Sequence, residues 1–347
     1  MVLKKIRNVK TMKIRKIAFT KINTAEIIEM DVPVSDNSVV VKTAFSTISC
    51  GTEKANITGN PNTAGPAAPS VKFPRILGYC SSGTVCEVGK NVKSVKVGDR
   101  VAMFGSQHGD YNVLGEKNVI KINDDNTLEE AALAYIASFP MAAIRKTNLE
   151  IGEPCMIMGL GILGQFAVQF ARVAGACPVV AVDPVKERRE LALSYGADYA
   201  FDPFEEGFAS KVKEVTDGGV NACIEVTGVG SGLDLALDCM RKFGRVALLG
   251  CTRDKEFTID YYRKVHSPGI TLIGAHTNAR PENESHHSWY THRDDIKAIL
   301  KLCAMGRIDL QKTIIETCDP KDCFDIYTRL INDKNFPIVV QFDWSRL

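Results

Sequence analysis

Three glycines in the segment MIMGLGILGQ constrain the fold of this 347-residue chain more than any other feature. Gly159, Gly161 and Gly164 follow an apolar run, residues 155–158, and precede an amphipathic stretch, residues 165–174. In G-x-G-x-x-G spacing the first glycine makes a tight turn, the second lets the backbone approach a pyrophosphate, and the third lets helix and strand pack closely. The N-terminus of the following helix presents unpaired N–H groups to the phosphates. The motif therefore predicts a strand–turn–helix unit that binds a dinucleotide.

An acidic residue at the end of the next apolar run supports this interpretation. Asp183 stands where a carboxylate accepts hydrogen bonds from a ribose 2′-hydroxyl and repels a 2′-phosphate. We therefore expect NAD rather than NADP as the cofactor. The nearby basic residues Lys186, Arg188 and Arg189 leave NADP open. The interpretation that we favour for them is a solvated helix face.

The second half of the chain alternates short apolar runs with amphipathic helical stretches. Six runs fit this description, at residues 155–158, 179–182, 199–201, 222–226, 246–249 and 270–273. They predict an α/β fold with a doubly wound parallel sheet over residues 146–305. Close backbone approach to a ribose and a nicotinamide explains the glycines at the ends of the later strands. The candidate cofactor contacts are Gly159, Gly161, Ile162, Leu163, Gly164, Asp183, Arg188, Thr227, Gly228, Gly250, Cys251, Gly274 and Ala275.

Residues 14–125 are rich in short β-type runs separated by turns. Within them, residues 59–74 contain four prolines and three alanines, which predicts a long surface loop. The chain becomes β-rich again after about residue 305. Because the six-stranded sheet is already complete, we expect this tail to rejoin the first domain. Residues 12–145 and 306–347 would then form one β-rich domain.

Charge and cysteine content exclude several classes of protein. With 43 basic and 41 acidic residues the formal net charge is +2, too small to hold the chain on nucleic acid or an anionic membrane. Seven basic residues up to Lys16 are expected to form a solvated N-terminal arm, or an extension upstream of a chain that could begin at Met12. Eleven cysteines, an odd number, without a secretory signal indicate a reducing compartment, the cytoplasm. Cys155 and Cys223 lie in apolar runs and are interpreted as small buried hydrophobic residues.

Taken together, these motifs resemble those of the medium-chain dehydrogenase/reductases, in particular the zinc-containing alcohol and polyol dehydrogenases. The matching segments, which span nearly the whole chain, are Cys50-Gly-Thr-Glu53, Leu77-Gly-Tyr79, residues 85–89 and 97–101, the glycine motif with Asp183, Glu225-Val-Thr-Gly228, and residues 243–250 and 270–274. The resemblance implies a GroES-like catalytic domain, completed by the C-terminal tail, and a Rossmann NAD-binding domain, with the active site in the cleft between them. It also implies a small-molecule substrate and a homodimer or homotetramer.

The metal positions are where the sequence departs from this family. There the catalytic zinc is held by the Cys of a C-G-[ST]-D motif, the His of a G-H-E motif and a third ligand before the cofactor domain. Cys50 matches the first ligand, but Gly78-Tyr79-Cys80 stands at the G-H-E position, and residues 134–138 offer no His, Cys or carboxylate. The family's four-cysteine structural-zinc lobe is also missing. Because a catalytic zinc needs three protein ligands, we predict a zinc-independent enzyme. A rebuilt zinc site from Cys50, Cys80 and optionally His108 stays open.

Without zinc, another group must take or give the proton on the substrate oxygen. The resemblance implies that Thr52 is the relay hydroxyl. Tyr79 could donate to the oxygen, or act as a base if a cation such as Lys54 lowered its pKa; a ring that only fills the lost metal cavity is the competing interpretation. His108 falls in a segment that lines the family's substrate pocket, and imidazole suits acid–base chemistry near neutral pH. Its alternative is a polar residue at the rim.

Four further histidines lie near the predicted cofactor domain's C-terminal end. His276 either touches substrate or caps its loop. The polar segment of residues 278–292 carries His286, His287 and His292. We favour a solvated loop, or an oligomer contact through Trp289, over a metal site there.

These observations predict an NAD-dependent oxidoreductase that interconverts a secondary alcohol, such as a polyol, cyclitol or sugar derivative, and a ketone without catalytic zinc. One alternative is a zinc-dependent alcohol dehydrogenase with the rebuilt site. A second is an enone or quinone reductase, disfavoured because the family's zinc-free branches use NADPH. The third is a non-catalytic NAD(H)-binding sensor, which would keep the glycines and Asp183 but show no turnover.

Overall fold

The computed structural model describes residues 10–60, 72–252 and 256–347. The basic residues before residue 10 and most of the proline-rich loop, residues 61–71, lie outside the described residues. The chain divides into two compact units. Unit 1 contains the residues up to Tyr135 together with Leu310–Leu347, and unit 2 is Ile136–Asp309. The C-terminal tail therefore packs with the N-terminal part of the chain, while the catalytic and cofactor roles of the two units remain predictions.

The helices and strands of the described residues follow the chain in a regular order. They are β1 (Thr11–Lys21), β2 (Thr24–Pro33), β3 (Ser38–Thr47), α1 (Cys50–Ile57), β4 (Arg75–Ile76), β5 (Cys80–Val88), β6 (Arg100–Phe104), β7 (Tyr111–Gly115), β8 (Val119–Lys121), α2 (Leu128–Ala131), α3 (Ala134–Lys146), β9 (Cys155–Met158), α4 (Ile162–Val173), β10 (Val179–Val182), α5 (Lys186–Ser194), β11 (Tyr199–Phe201), α6 (Phe208–Val215), β12 (Val220–Glu225), α7 (Gly230–Asp238), β13 (Met240–Leu248), β14 (Thr271–Gly274), α8 (His292–Ala304), β15 (Glu316–Cys318), α9 (Cys323–Asn332) and β16 (Val340–Asp343). No helix in this part of the chain is long and apolar enough to cross a membrane.

Unit 1 is built on two sheets. One has the order β2-β1-β4, and the other β15-β16-β3-β5-β6-β8, with β7 also paired to β3. The expected solvated arm is wrong from Thr11 onward, because these residues form β1. Arg15 pairs with Asp110 at 2.9 Å, and Lys16 is only 8% exposed. The basic residues of this segment thus belong to the folded domain.

The C-terminal tail supplies part of the core of unit 1. Strand β16 runs antiparallel to β3. The preceding helix α9 buries Ile326, Tyr327 and Leu330 on one face, which is the spacing of an amphipathic helix. The ring of Tyr327 lies edge-on to Phe19 of β1 at 4.8 Å between centroids. The tail is therefore not only β-rich as expected, since its helix carries an aromatic side chain into the centre of the domain.

Unit 2 contains the predicted doubly wound sheet. All six strands pair in parallel, in the order β11-β10-β9-β12-β13-β14. Strand β9 is buried at every position, as expected for a strand covered on both faces. Cys155 and Cys223 are fully buried, which confirms their interpretation as small apolar residues. Because the strand order reverses between β9 and β12, the carboxyl ends of these strands form the ligand-binding edge typical of such sheets.

Candidate active site

The glycine-rich turn joins β9 to α4, and its three glycines have different physical causes. Gly159 has φ +100°, a conformation that other residues rarely adopt. A Cβ on Gly164 would lie 2.0 Å from the carbonyl oxygen of Gly159, so close packing requires this glycine. A Cβ on Gly161 would meet no described atom within 4 Å. Neither packing nor conformation explains Gly161, which is what a position facing a bound pyrophosphate should show. Ile162 and Leu163 begin α4 beside it and are half-buried.

Asp183 lies at the end of β10 and reaches back to this turn. Its carboxylate is 4% exposed and accepts hydrogen bonds from the backbone N–H groups of Leu160, at 2.8 Å, and Val185, at 2.9 Å. The guanidinium of Arg188 lies 3.7 Å from the same carboxylate. Each carboxylate oxygen keeps a lone pair for a further donor. The acid is therefore held in place beside the glycine turn with acceptor capacity left over.

The three basic residues after Asp183 do not share one role. Lys186 is exposed and lies 3.4 Å from Glu190, as expected of a solvated helix face. Arg189 instead donates to the carbonyl oxygen of Asp183 at 2.6 Å. The solvated interpretation is therefore wrong for Arg189, because its guanidinium holds the end of β10.

The ends of β12 and β13 are packed tightly together. The carboxylate of Glu225 accepts hydrogen bonds from the backbone N–H and the hydroxyl of Thr227 and from the N–H of Gly228. Burial raises the pKa of Glu225 above its usual value despite these hydrogen bonds. A Cβ on Gly250 would lie 2.3 Å from the nitrogen of Gly228, so close packing requires a glycine at residue 250. Cys251 follows on the surface. These features, together with the glycine turn, fit a dinucleotide.

A buried lysine holds the loop that follows β14. The ammonium of Lys146 donates to the carbonyl oxygens of Gly274, at 3.2 Å, and Ala279, at 2.5 Å, and lies 4.5 Å from the ring centroid of Trp289. Burial, with repulsion from Arg280 as the second cause, lowers the pKa of Lys146 to about 8. Trp289 thus has a partner within its own unit. Ala275 is buried next to this loop.

The histidines near this loop have separate environments and share no common partner among the described contacts. The Nδ1 of His276 accepts the backbone N–H of Asn278 at 3.2 Å, so this imidazole caps its own loop. His286 and His287 are exposed. His292, the first residue of α8, is half-buried, and its Nδ1 lies 3.3 Å from the hydroxyl of Ser138.

The His292→Gln variant is expected to lose part of the pH dependence of stability. Burial, followed by repulsion from Arg280, lowers the pKa of His292 from 6.5 to about 3. The unfolded state therefore binds more protons between these values, and the free energy of unfolding falls as the pH drops through this window. Urea unfolding at pH 7 and pH 5 should show a loss on the order of 1 kcal/mol larger in the wild type than in the variant. Equal losses would contradict the assignment.

In unit 1, a phenol and two hydroxyls meet at the start of α1. The Tyr79 hydroxyl donates to Oγ of Ser49, with Thr52 as a further hydrogen-bonding neighbour. Burial raises the pKa of Tyr79 above its ordinary value, and the negative charge of Glu53 adds to this. The hypothesis of a base activated by a cation is therefore wrong for Tyr79, since Lys54 is exposed to solvent and its neighbour Glu53 is an anion.

His108 is buried, contrary to the interpretation as a rim residue. It is 1% exposed. Its Nε2 lies 3.1 Å from the carboxylate of Glu53, and its Nδ1 lies 2.7 Å from Oγ of Ser46. Because both ring nitrogens are engaged, direct proton exchange with a substrate would require one of these hydrogen bonds to break.

The carboxylate of Glu53 is the residue that sequence reasoning missed. In the sequence it belongs to the segment Cys50-Gly-Thr-Glu53, without an expected role there. In the structure it is 1% exposed and accepts hydrogen bonds from His108, from the hydroxyl of Tyr327 and from the N–H of Ser49. Burial alone would raise the pKa of Glu53, but His108, Tyr327 and Ser49 together hold it below its usual value. Tyr327 lies far away in the sequence, so only the fold could reveal this contact.

Cys50 and Cys80 both lie against backbone carbonyl oxygens. The Sγ of Cys50 lies 3.8 Å from the carbonyl oxygens of Pro337 and Ile338. The Sγ of Cys80 is buried and lies 2.7 Å from the carbonyl oxygen of Ala132. No three His, Cys, Asp or Glu side chains in residues 10–60, 72–252 and 256–347 are grouped to hold a metal ion. The donor set described here therefore does not fit the rebuilt zinc site.

Family models match both parts of the chain. The alcohol dehydrogenase GroES-like domain matches residues 35–139, and the zinc-binding dehydrogenase model matches residues 163–304. The chain belongs to the medium-chain dehydrogenase/reductase superfamily. It is an alcohol dehydrogenase-like oxidoreductase that combines a GroES-like domain with a parallel Rossmann-type sheet, as the sequence resemblance implied.

Individual relatives agree with this assignment. The chain is 28% identical over 319 residues to an L-threonine 3-dehydrogenase of Pyrococcus horikoshii, an alignment that covers 84% of this chain and 87% of the relative. It is 26% identical over 216 residues to a D-guloside 3-dehydrogenase of Shigella flexneri, covering 61% of each. The crystal structure of galactitol-1-phosphate dehydrogenase from Escherichia coli has the same fold, with a TM-score of 0.81 at 21% identity over 95% of this chain and 99% of the other.

Proposed function

We propose that this oxidoreductase uses NAD to interconvert a secondary alcohol and a ketone by hydride transfer, without catalytic zinc. The observation that carries the proposal is the phenol of Tyr79, which is hydrogen-bonded to Ser49 and stands at the position where the sequence resemblance implies a zinc-binding histidine. The substrate class is a polyol, cyclitol or sugar derivative. The relatives named L-threonine 3-dehydrogenase and D-guloside 3-dehydrogenase support a small polar substrate.

The residues of unit 2 would hold the dinucleotide. The first turn of α4 offers its N–H groups to the pyrophosphate, and Gly161 leaves room for it. Asp183 would accept hydrogen bonds from the adenosine ribose. When bound, the nicotinamide supplies the hydride acceptor for alcohol oxidation, and its reduced form supplies the donor for ketone reduction.

The residues of unit 1 would handle the proton on the substrate oxygen. Because burial raises its pKa, Tyr79 keeps its proton. With a ketone bound, the phenol would turn this proton from Oγ of Ser49 to the ketone oxygen, and the Ser49 hydroxyl would donate to the phenol oxygen instead. An alkoxide is more basic than a phenolate, so transfer of this proton to the forming alkoxide is still favourable. Ser49 and Thr52 would then stabilise the phenolate with their hydroxyls. Alcohol oxidation is the reverse and starts from the Tyr79 phenolate, so the raised pKa should slow it at neutral pH, and its rate should rise with pH.

A substrate screen tests this function. The purified protein is incubated with NAD and a panel of polyols, cyclitols and sugar derivatives, and with NADH and the matching ketones, enones and quinones, while absorbance of the reduced nicotinamide is followed. The proposal expects turnover of at least one secondary alcohol. Turnover of enones or quinones alone would favour the reductase. Tight binding of NAD without any turnover would favour the sensor.

The Asp183→Asn variant is expected to shift cofactor preference toward NADP. The carboxylate of Asp183 repels a 2′-phosphate on the ribose. In the variant this repulsion is absent, and the guanidinium of Arg188, which lies 3.7 Å from the wild-type carboxylate, can attract the 2′-phosphate. The ratio of kcat/KM for NAD over NADP should fall by about tenfold or more, which corresponds to about 1.4 kcal/mol. Both cofactors are measured on the same preparation, so loss of stability cancels in the ratio. An unchanged ratio would contradict the role of Asp183.

A further inference from the structure

The N-cap residue of helix α1 makes an unusual hydrogen bond that suggests a role in the site. Ser49 occupies the N-cap position, where a serine hydroxyl normally accepts a backbone N–H of the first turn. Its side chain makes no such capping hydrogen bond here. Instead its Oγ accepts the hydroxyl of Tyr79. The hydroxyl is thus diverted from stabilising the helix to orienting the phenol.

Glu53 provides a different hydrogen bond at the start of this helix. From the first turn of α1, its Oε1 accepts the backbone N–H of Ser49 at 2.8 Å. The same carboxylate contacts His108 and Tyr327. A buried carboxylate with several donors has one well-defined orientation, because loss of any donor leaves a buried charge poorly compensated. Glu53 therefore fixes the backbone of Ser49.

The network is anchored on three distant parts of unit 1. His108 contacts Ser46 of β3, whose Oγ also accepts the indole N–H of Trp344 at 2.8 Å. The backbone of His108 is held by hydrogen bonds to Leu77 and from Ile17, at 2.9 and 3.0 Å. The C-terminal tail contributes through Tyr327 and Trp344. The start of α1 is therefore connected by hydrogen bonds to β1, β3 and the C-terminal tail.

We infer that Glu53 is a positioning residue for this site: with His108 and Tyr327 it fixes Ser49, and through Ser49 the Tyr79 phenol, so that a buried hydrogen-bond network organises the substrate side where relatives use a metal. This inference rests on the proposed function, since it assigns Tyr79 to the substrate oxygen. Glu53 itself is buried and does not contact substrate. Its role is to hold the hydroxyls at a constant distance and angle, which catalysis requires within a fraction of an ångström.

The Glu53→Gln variant tests the inference against a matched control. Gln keeps the volume but replaces one acceptor oxygen by a donor amide, which opposes the donors around it. We expect kcat to fall by about 10- to 100-fold and the Kd for NAD to stay within about twofold. Glu130→Gln makes the same change at another buried glutamate of unit 1, which accepts from Asn126 at 3.0 Å. It should keep wild-type kcat. Equal losses in both variants would overturn the inference.

A double-mutant cycle separates positioning from general loss of structure. If Glu53 acts through the phenol, Glu53→Gln should lower kcat by less than about threefold in a background that already carries Tyr79→Phe. The same fold loss in both backgrounds would overturn the inference. Tyr327→Phe removes one donor from the carboxylate with a smaller change in the core, and should lower kcat in the same direction. If Glu53→Gln folds poorly, the kcat of Tyr327→Phe tests the inference in its place.

Hydrogen–deuterium exchange gives a readout that does not need turnover. Glu53→Gln should speed exchange of the peptide that contains Ser49, because the Ser49 N–H must compete with His108 and Tyr327 for the one acceptor oxygen that remains, whereas Glu130→Gln should leave this peptide unchanged. Unchanged exchange at Ser49 in Glu53→Gln would overturn the inference. If the wild type turns over no alcohol or ketone, the proposed function fails on its own, while exchange still decides whether Glu53 fixes the helix start.

Discussion

The Tyr79→Phe variant should lose about 10²- to 10⁴-fold in kcat while its Kd for NAD stays unchanged, because the phenol supplies the proton for the substrate oxygen. The structure shows why the loss should be confined to chemistry. The phenyl ring of the variant would keep the edge-on contact with Tyr135, which in the wild type is 5.6 Å between centroids, so packing is preserved. Only the hydroxyl that donates to Ser49 is removed. Steady-state kinetics with the best substrate of the screen measures the effect.

A second tyrosine provides the control for this experiment. Tyr111 belongs to β7 of the same unit, and Tyr111→Phe removes a hydroxyl from the same type of ring. It should keep wild-type kcat within about twofold. If Tyr79→Phe also keeps its kcat, the ring only fills space left by the lost metal ligand, and the proposed proton donor is wrong.

The second large effect concerns the glycine turn, where two substitutions should separate ligand approach from packing. Gly164→Ala places a Cβ 2.0 Å from the carbonyl oxygen of Gly159, so α4 must move away from the turn. Such a clash destabilises a protein by about 1–3 kcal/mol or more. We expect both a lower Tm and a Kd for NAD raised by about 100-fold or more, because the helix N-terminus no longer meets the phosphates.

Gly161→Ala should behave differently, since an added Cβ meets no described atom within 4 Å. We expect Tm to stay within about 1 °C and the Kd for NAD to rise by about 10- to 100-fold, because the new methyl group occupies space that the pyrophosphate needs. Gly115→Ala, also without a described contact within 4 Å, is the control for Tm and Kd. Wild-type affinity in Gly161→Ala would show that the dinucleotide does not approach this turn. Calorimetry and thermal unfolding give both quantities.

The cofactor side of the fold could be predicted because its determinants are local. The spacing of Gly159, Gly161 and Gly164, the apolar runs and Asp183 all lie within short segments, and strands alternating with helices are compatible with few parallel-sheet topologies. The predicted sheet was confirmed: β9, β10 and β11 have the predicted ranges, and the ends of the other three strands differ by one to six residues. Arg189 was misjudged because its partner is a backbone carbonyl, which leaves no signal in the sequence.

The substrate side could be predicted only in part because its contacts join distant segments. The sequence shows that a tyrosine stands at the position of a metal ligand, and the structure adds that the hydroxyl of this tyrosine donates to Ser49. The sequence does not show that Glu53 meets Tyr327, since the two residues come together only when the tail folds back onto the first domain. Burial also raises the pKa of Tyr79, whereas an activated base would need a lowered one. Burial cannot be read from one sequence position.

Metal content and turnover measured on one preparation test the central claim most directly. The protein is purified without chelators, zinc per chain is determined by mass spectrometry, and kcat is measured before and after dialysis against 1,10-phenanthroline. The network around Glu53 and Tyr79 predicts less than about 0.1 zinc per chain and the same kcat after dialysis. One zinc per chain, whose removal abolishes turnover and whose return restores it, would contradict the account.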